Sequence, residues 1–335
     1  MSTEHNVTVV RIGDIIKHPD ADTLGITEVD GRPCIIRLGE YVTGDLAVYV
    51  PVDSLVPVAD ERFAFLAGKA KGCTARIRAM RLRGIFSMGL IVRPDADMTE
   101  GDEVRERMGI GIYEPPEVGG GAGGSYESGR QGRDPGCLPC YDIEGARKYH
   151  RLLNDGEEIV LTEKIHGANA RFVYHDGELW VGSRTTFKAR DGGGMWWRVA
   201  EAHGLEEKLA ARPDLAIYGE VYGQVQDLKY AKNGHDLIIF DMLDVNTRKW
   251  FDYDEMVAIA AEMGLPTVPL LYRGPWSEER KADIWAIAEG STVVGGGAHV
   301  REGWVLRPTK ERTDLRLGRV IMKLHGEGYL TRKGG

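Results

Sequence analysis

The chain has 335 residues, 42% of them hydrophobic and 28% charged, and 43 Lys and Arg against 51 Asp and Glu give a formal net charge of −8. The composition is that of an ordinary globular protein, and the length exceeds the roughly 100–200 residues of a usual domain, so two domains are expected. No apolar run reaches membrane-spanning length and Met1-Ser2-Thr3-Glu4-His5 lacks a charged-then-apolar signal, so the expectation is a cytoplasmic protein without membrane contact.

In chain order, residues 6 to about 93 read as the first unit. Val7-Val9-Arg11, Ile26-Glu28-Val29, Cys34-Ile35-Ile36-Arg37 and Leu46-Ala47-Val48-Tyr49-Val50 are short strand-like runs divided by Gly, Asp and Pro turns. Such runs, packed into under 100 residues, predict a small all-β barrel. Lys69, Lys71, Arg76, Arg78, Arg81, Arg83 and Arg93 follow with no acid between the first and the last. On a strand, Arg76 and Arg78 would share a face. Two readings of this run stand side by side: a phosphate-binding surface, and a solvated basic edge that protects against aggregation. The unit resembles an OB-fold, and His18-Pro19-Asp20-Ala21-Asp22-Thr23-Leu24 and Arg83-Gly84-Ile85-Phe86-Ser87-Met88-Gly89-Leu90 resemble turns of tRNA-binding OB domains.

A connector comes next. Glu114-Pro115-Pro116-Glu117 and the run Gly119 to Ser125 cannot build a core and are expected to be mobile. Cys137-Leu138-Pro139-Cys140 has zinc-knuckle spacing without a second such pair, and reads as a loop pair of reduced thiols. From Asp142 to Tyr149 a helix or turn is expected, and two further helices are predicted. One runs from Asp254 to Met263 and stops at Gly264; the other is capped by Ser277, runs from Glu278 to Glu289 and stops at Gly290. The predicted boundaries are 1–95 for the barrel, 96–139 for the connector and 140–335 for an α+β domain.

Within that last domain Ile159-Val160-Leu161-Thr162-Glu163 is a β-like run ending in Lys164-Ile165-His166-Gly167-Ala168-Asn169. A lysine at a strand end, followed by a glycine turn, presents an amine to a phosphate. At its ordinary pKa the amine is protonated near neutral pH, so it becomes a nucleophile only when its surroundings favour the neutral form. Taken alone, the pattern is equally a strand, a turn and a solvated lysine.

Further motifs follow in order: Ser183-Arg184 after Leu179 to Gly182, Tyr218-Gly219-Glu220 at the end of Leu215-Ala216-Ile217, and Phe240-Asp241 closing Leu237-Ile238-Ile239. Glu302-Gly303-Trp304-Val305-Leu306-Arg307 and Ile321-Met322-Lys323-Leu324 complete the series. Lys-x-His-Gly-x-Asn and this succession resemble the RNA-sealing ligases, within the larger superfamily of ATP-dependent ligases and mRNA capping enzymes. With the barrel placed first, the whole resembles the Deinococcus-type RNA ligases. The fold class this implies is an N-terminal all-β OB-fold barrel followed by an α+β covalent nucleotidyltransferase (ATP-grasp-like ligase) domain.

What the resemblance implies about activity is specific. Lys164 would take AMP from ATP, pass it to a 5′-phosphate and so seal 3′-OH/5′-phosphate nicks in RNA-containing duplexes, with Mg2+ or Mn2+ required. His166 and Asn169 would belong to the catalytic set. Arg184 and Lys323 would contact phosphate, Glu220 the ribose hydroxyls, Phe240 the adenine and Glu302 the metal. Glu163 would be a further nucleotide contact. The last motif departs from its relatives, since His325 stands where a second lysine is common. Arg312, Arg316 and Arg319 form a second basic group joined to it. A monomer is expected, because RNA would complete the site. The competing reading is an RNA- or tRNA-binding protein with a weak or inactive transferase domain. Capping-type guanylyl transfer is disfavoured by His166 and Asn169, and kinase chemistry has no Gly-x-x-x-x-Gly-Lys-Ser/Thr loop to support it.

Overall fold

The computed structural model of the protein describes residues 5–113, 132, 135–136, 138–190 and 194–332. They form two compact units, 5–113 with 330–332, and 132–329. The Gly119 to Ser125 run and Cys137 of the Cys-x-x-Cys pair lie outside the described residues. No described helix is long and apolar enough to cross a membrane.

The first unit is built from short antiparallel strands. Thr8–Arg11 and Leu90–Val92 flank Leu46–Val50; Leu24–Val29 and Arg32–Arg37 make a hairpin; Thr74–Arg76 and Gly111–Ile112 flank Ser54–Pro57. Leu46–Val50 is buried on both faces. Its Ala47 and Tyr49 pack with Ile12, Cys34 and Ile36, and its Val48 and Val50 with Val7, Val9 and Phe63. Met98, Val104, Met108 and Ile110 join the second of these cores, so the packed chain runs past the expected limit at residue 95. The basic run is not a uniform cationic face. Its strand stops at Arg76, leaving Arg78 beyond the pleat that would have aligned the two. Arg76 donates to Asp53 at 2.8 Å and its guanidinium lies 3.7 Å from the centre of the Tyr113 ring, while Arg93 pairs with Asp45 at 3.6 Å.

The second unit holds two five-stranded sheets. One has the order Glu144–Gly145, Met322–His325, Gly303–Pro308, Glu158–Lys164, Leu270–Pro275; the other runs Glu178–Gly182, Ala168–His175, Leu215–Gly223, His235–Asp244, Lys249–Trp250. Helices Met195–Ala202, Leu205–Ala210 and Tyr253–Glu262 cover one face of the second sheet, where Trp196, Leu209 and Met256 meet Phe172, Ile217 and Leu237. The first sheet buries Trp304 and Leu306 against Trp276 and Ile284. On the remaining faces, Val173, Ala216 and Tyr218 of the second sheet pack with Val305 and Ile321.

Local expectations are met unevenly. The Asp254 helix begins at Tyr253 behind a capping box between Asp252 and Glu255. Ser277 occupies its cap position without a capping hydrogen bond, and the regular helix shrinks to Lys281–Ala286. The shortening has a visible cause, since Ile287, Ala288 and Glu289 each bond three residues back, which is 3₁₀ geometry tightening the last turn before Gly290 at φ +108°. The strands of Tyr218-Gly219-Glu220 and Phe240-Asp241 do not end at those motifs but continue to Gly223 and Asp244. A bulge accommodates them: Tyr218 pairs with Asp241 and Gly219 with Ile239, leaving Phe240 as the extra residue.

Candidate active site

Lys164 is the last residue of its strand, and strand register decides what lies beside it. Lys164 pairs with Gly303, and Gly303 with His325; one pleat further in, Thr162 pairs with Val305, and Val305 with Lys323. Paired residues share a face, so Lys164, Thr162, Lys323 and His325 line one side of the first sheet. Gly303 sits between Lys164 and His325 for a steric reason, because a Cβ there would lie 1.9 Å from the Leu324 carbonyl oxygen.

Glu302, just ahead of Gly303, is the centre of the cluster. Its Oε1 accepts from Lys164 Nζ at 2.8 Å and lies 3.6 Å from His325 Nε2 and 3.9 Å from His166 Nδ1. Burial opposes ionisation of this carboxyl, but the Lys164 ammonium and the two imidazoles outweigh it and hold the group well below the ordinary carboxylate range. Its Oε2 is buried with no hydrogen-bond partner.

Glu220 stands on the second sheet, paired in register with Asn169. Burial pushes its carboxyl up to about 8; Lys164 and the Gly167 N–H pull the other way, and the nearby Glu302 charge adds to the rise. The turn between Lys164 and Asn169 is too tight for a side chain at Gly167, where a Cβ would fall 2.1 Å from the Val221 carbonyl oxygen. The Asn169 carbonyl accepts from Trp196 Nε1 at 2.9 Å, and its side-chain Oδ1, like Glu302 Oε2, is buried without a partner.

Lys164, His166, Glu220, Glu302 and His325 therefore converge, with Asn169 and Lys323 in register beside them. Three expected site residues stand apart in their contacts. Glu163 points the other way from Lys164, and its two carboxylate oxygens accept from Thr292 Oγ1 at 2.5 Å and Val293 N–H at 2.8 Å. The half-exposed Arg184 donates to Asp142 at 2.8 Å. Phe240 is half-buried, with its ring 4.8 Å from that of Tyr141. Arg312, Arg316 and Arg319, expected as a basic group, are spent on Glu157, Asp314, and Asp241 with Glu311. Trp304 is a packing residue, donating to the Ile284 carbonyl at 3.0 Å.

A family model described as RNA ligase matches residues 157–325, which is half of the chain and spans every element of this cluster. The chain belongs to the RNA ligase family. It is thus an enzyme, a ligase, and an OB-fold domain model matches its residues 6–94. The ligase is similar in fold to the solved Naegleria gruberi RNA ligase with PPi, at 25% identity and TM-score 0.84 over 97% of this chain and 98% of that one. It is also similar to a Naegleria gruberi RNA ligase lysine mutant with ATP and Mn, at 24% identity and TM-score 0.83 over 97% of each chain. A glutamate mutant of the same protein with AMP and Mn matches at 24% identity and TM-score 0.84 over 97% and 98%. Comparison with curated proteins gave no match.

The sequence reading of the ligase did not single out four residues that surround the turn after Lys164: Gln226, Asp227, Tyr230 and Tyr329. Gln226 Nε2 donates to the Gly167 carbonyl, Tyr230 Oη accepts from the His166 N–H at 2.6 Å, and Asp227 and Tyr329 hold the His166 ring. No motif marks them, because the loop that carries the first three is read from sequence only as polar residues between two strands.

Proposed function

We propose that the ligase is ATP-dependent, works through a lysyl-AMP intermediate at Lys164 and seals 3′-OH/5′-phosphate nicks in RNA-containing duplexes, as the Deinococcus-type resemblance implies. The observation that carries this is the Lys164–Glu302 pair with its surplus acceptors, inside the segment that the family model matches. The Naegleria gruberi structures with ATP and Mn or with PPi agree with the nucleotide and the leaving group. Lys164 Nζ, once neutral, attacks the α-phosphorus of ATP; the N–P bond forms as the bond to the pyrophosphate oxygen breaks. AMP then passes to the RNA 5′-phosphate, and the 3′-hydroxyl attacks that phosphate and expels AMP.

The residues present fit a divalent cation. Glu302 Oε2 and Asn169 Oδ1 are orphaned oxygens, and Glu220 is a second carboxyl within reach of the Lys164 and Glu302 charges. An Mg2+ or Mn2+ is commonly held by one or two carboxylates and completed by phosphate oxygens and water, and these oxygens could supply the protein's share. When bound, the cation would neutralise charge on the phosphates. Glu302 would hold it, releasing Lys164 from its partner. Lys323 and Arg184 would then offer cations to phosphate, Phe240 a face to adenine, and Glu220 acceptors to ribose. The first unit would serve as the RNA-binding OB domain, reaching past the expected limit at residue 95, with the rest of 96–139 as its connector, in a monomer working in the cytoplasm.

The test is sealing of a nicked duplex whose broken strand carries RNA 3′-OH and 5′-phosphate ends, with ATP and Mg2+ or Mn2+. Sealing by the wild type and none by Lys164→Ala is the expected result. Salt-sensitive binding of the nick with no sealing under either metal would support the RNA-binding reading instead.

A further inference from the structure

His166 is held from both sides of its ring. Nε2 lies 2.7 Å from Asp227 Oδ1, and Nδ1 lies 3.0 Å from Tyr329 Oη and 3.9 Å from Glu302 Oε1. An ionised aspartate can only accept, so the hydrogen-bond network places a proton on Nε2, while the Tyr329 hydroxyl, which can donate or accept, meets Nδ1 whether the ring is neutral or charged. The Nε2 proton and the plane of the ring are thereby fixed. Tyr329 also stacks on His325, with ring centres 5.8 Å apart and planes at 16°, so the two histidines that face Glu302 share one wall.

Asp227 does not reach the ring from a relaxed loop. The segment joining the two central strands of the second sheet sends three side chains, Gln226, Asp227 and Tyr230, onto the consecutive residues His166 and Gly167. Tyr230 and Ala231 both take left-handed backbone angles, at φ +53°, a conformation that is strained for non-glycine residues. Gly295 packs against the loop where a Cβ would meet the Tyr230 carbonyl oxygen at 2.3 Å. Strain of this kind persists only where the surroundings over-determine it. Stability alone is a poor reason for the Asp227 contact, because its side chain is 39% exposed and a partly exposed ion pair contributes little.

We propose that Asp227 is a positioning residue for adenylyl transfer, fixing the ring of His166 so that Nδ1 is presented to Glu302 beside Lys164. The inference rests on the reading of Lys164 as the adenylylated nucleophile. Asp227 acts through His166.

Two readouts test it on the full chain. The first is single-turnover labelling of the protein by α-labelled ATP with Mn2+. Asp227→Ala should lower the rate about 10- to 100-fold, the scale of losing an outer partner of a metal-bound histidine, with half-saturation by ATP unchanged. Asp227→Asn, which keeps an acceptor for Nε2–H, should recover most of the rate. The second is nitrogen-15 NMR of histidine-labelled protein, with the His166 signals assigned by their loss in His166→Gln. The wild type should show the Nε2–H tautomer, Asp227→Asn should keep it and Asp227→Ala should lose it. A wild-type rate in Asp227→Ala overturns the proposal, and so does a slow variant whose His166 keeps the wild-type tautomer. Should the wild type form no adduct at all, the proposed function fails, while the tautomer spectra still decide whether Asp227 sets the ring. Should Asp227→Ala not fold, Asp227→Ser carries the same two measurements.

Discussion

The second unit contains two buried ionic clusters, one around Asp241 and one around Glu302, that use similar groups and finish differently. Asp241 is fully buried; its Oδ1 accepts from Arg307 at 3.0 Å and the Met242 N–H at 3.0 Å, and its Oδ2 from Arg319 at 2.5 Å and Tyr141 at 2.6 Å. Glu311 takes the other sides of both arginines, and of the side-chain atoms in this network only Arg307 Nε is left over. Glu302 has one oxygen crowded by three nitrogen groups and the other with no partner, and Glu220 adds a second carboxyl with its pKa raised. A buried network whose acceptors are filled holds strands together. One with carboxylate to spare is what the proposed cation site calls for, and it is the one that carries Lys164.

That contrast can be broken by substitution, beginning with the largest effect. Asp241→Ala strands two buried arginines and should cost about 3–5 kcal/mol in urea unfolding. A loss under about 1 kcal/mol would dissolve the distinction. Glu302→Gln should shift the balance the other way, costing less in unfolding than Asp241→Ala while lowering adenylylation about 10²–10³-fold, the scale for deleting one electrostatic group at a reacting centre. Gly167→Ala should cost about 1–3 kcal/mol, since the Cβ needs space held by the Val221 carbonyl, and should slow labelling as the turn shifts. A neutral outcome in both measurements would mean that the turn is loose.

Acidity sharpens the comparison more gently. The Glu220 carboxyl is raised from 4.5 to about 8 in the folded state, so that state binds the extra proton. Its contribution to stability is full below about pH 4.5, declines as pH rises from there and is gone above about 8. Glu302, held below its ordinary value, contributes above about 4.5 and loses that contribution as pH falls. Melting temperature followed from pH 5 to 9 should therefore fall less in Glu220→Gln than in the wild type. Parallel curves would remove the raised pKa from the account.

Sequence made some of this legible and hid the rest for physical reasons. The Lys164 strand, the antiparallel barrel strands and the Tyr253–Glu262 helix follow from local patterning, and the ordered motifs pointed to the cluster. Glu220 and Phe240 looked like strand ends because Gly219 and Asp241 look like punctuation. Pairing across a bulge carries both strands onward instead. Helices Met195–Ala202 and Leu205–Ala210 escaped the reading: one follows the glycine run 192–194 and the other starts at Gly204 in a left-handed cap, and both are held by packing more than by caps. Arg312 and Arg319 read as free cations because their partners, Glu157 and Asp241, lie far away in sequence. Asp227 and Tyr329 were invisible for the same reason, being distant in sequence from His166.

Intact-mass measurement of the purified protein, incubated with ATP and Mg2+ or Mn2+ and then digested to locate any modification, bears most directly on the claim that the Glu302 cluster serves Lys164 as a nucleophile. One AMP on the peptide bearing Lys164, absent from Lys164→Ala and released by pyrophosphate, is the result this account predicts. A protein shown beforehand to be free of AMP that gains none with either metal, or gains it at another residue, would contradict it.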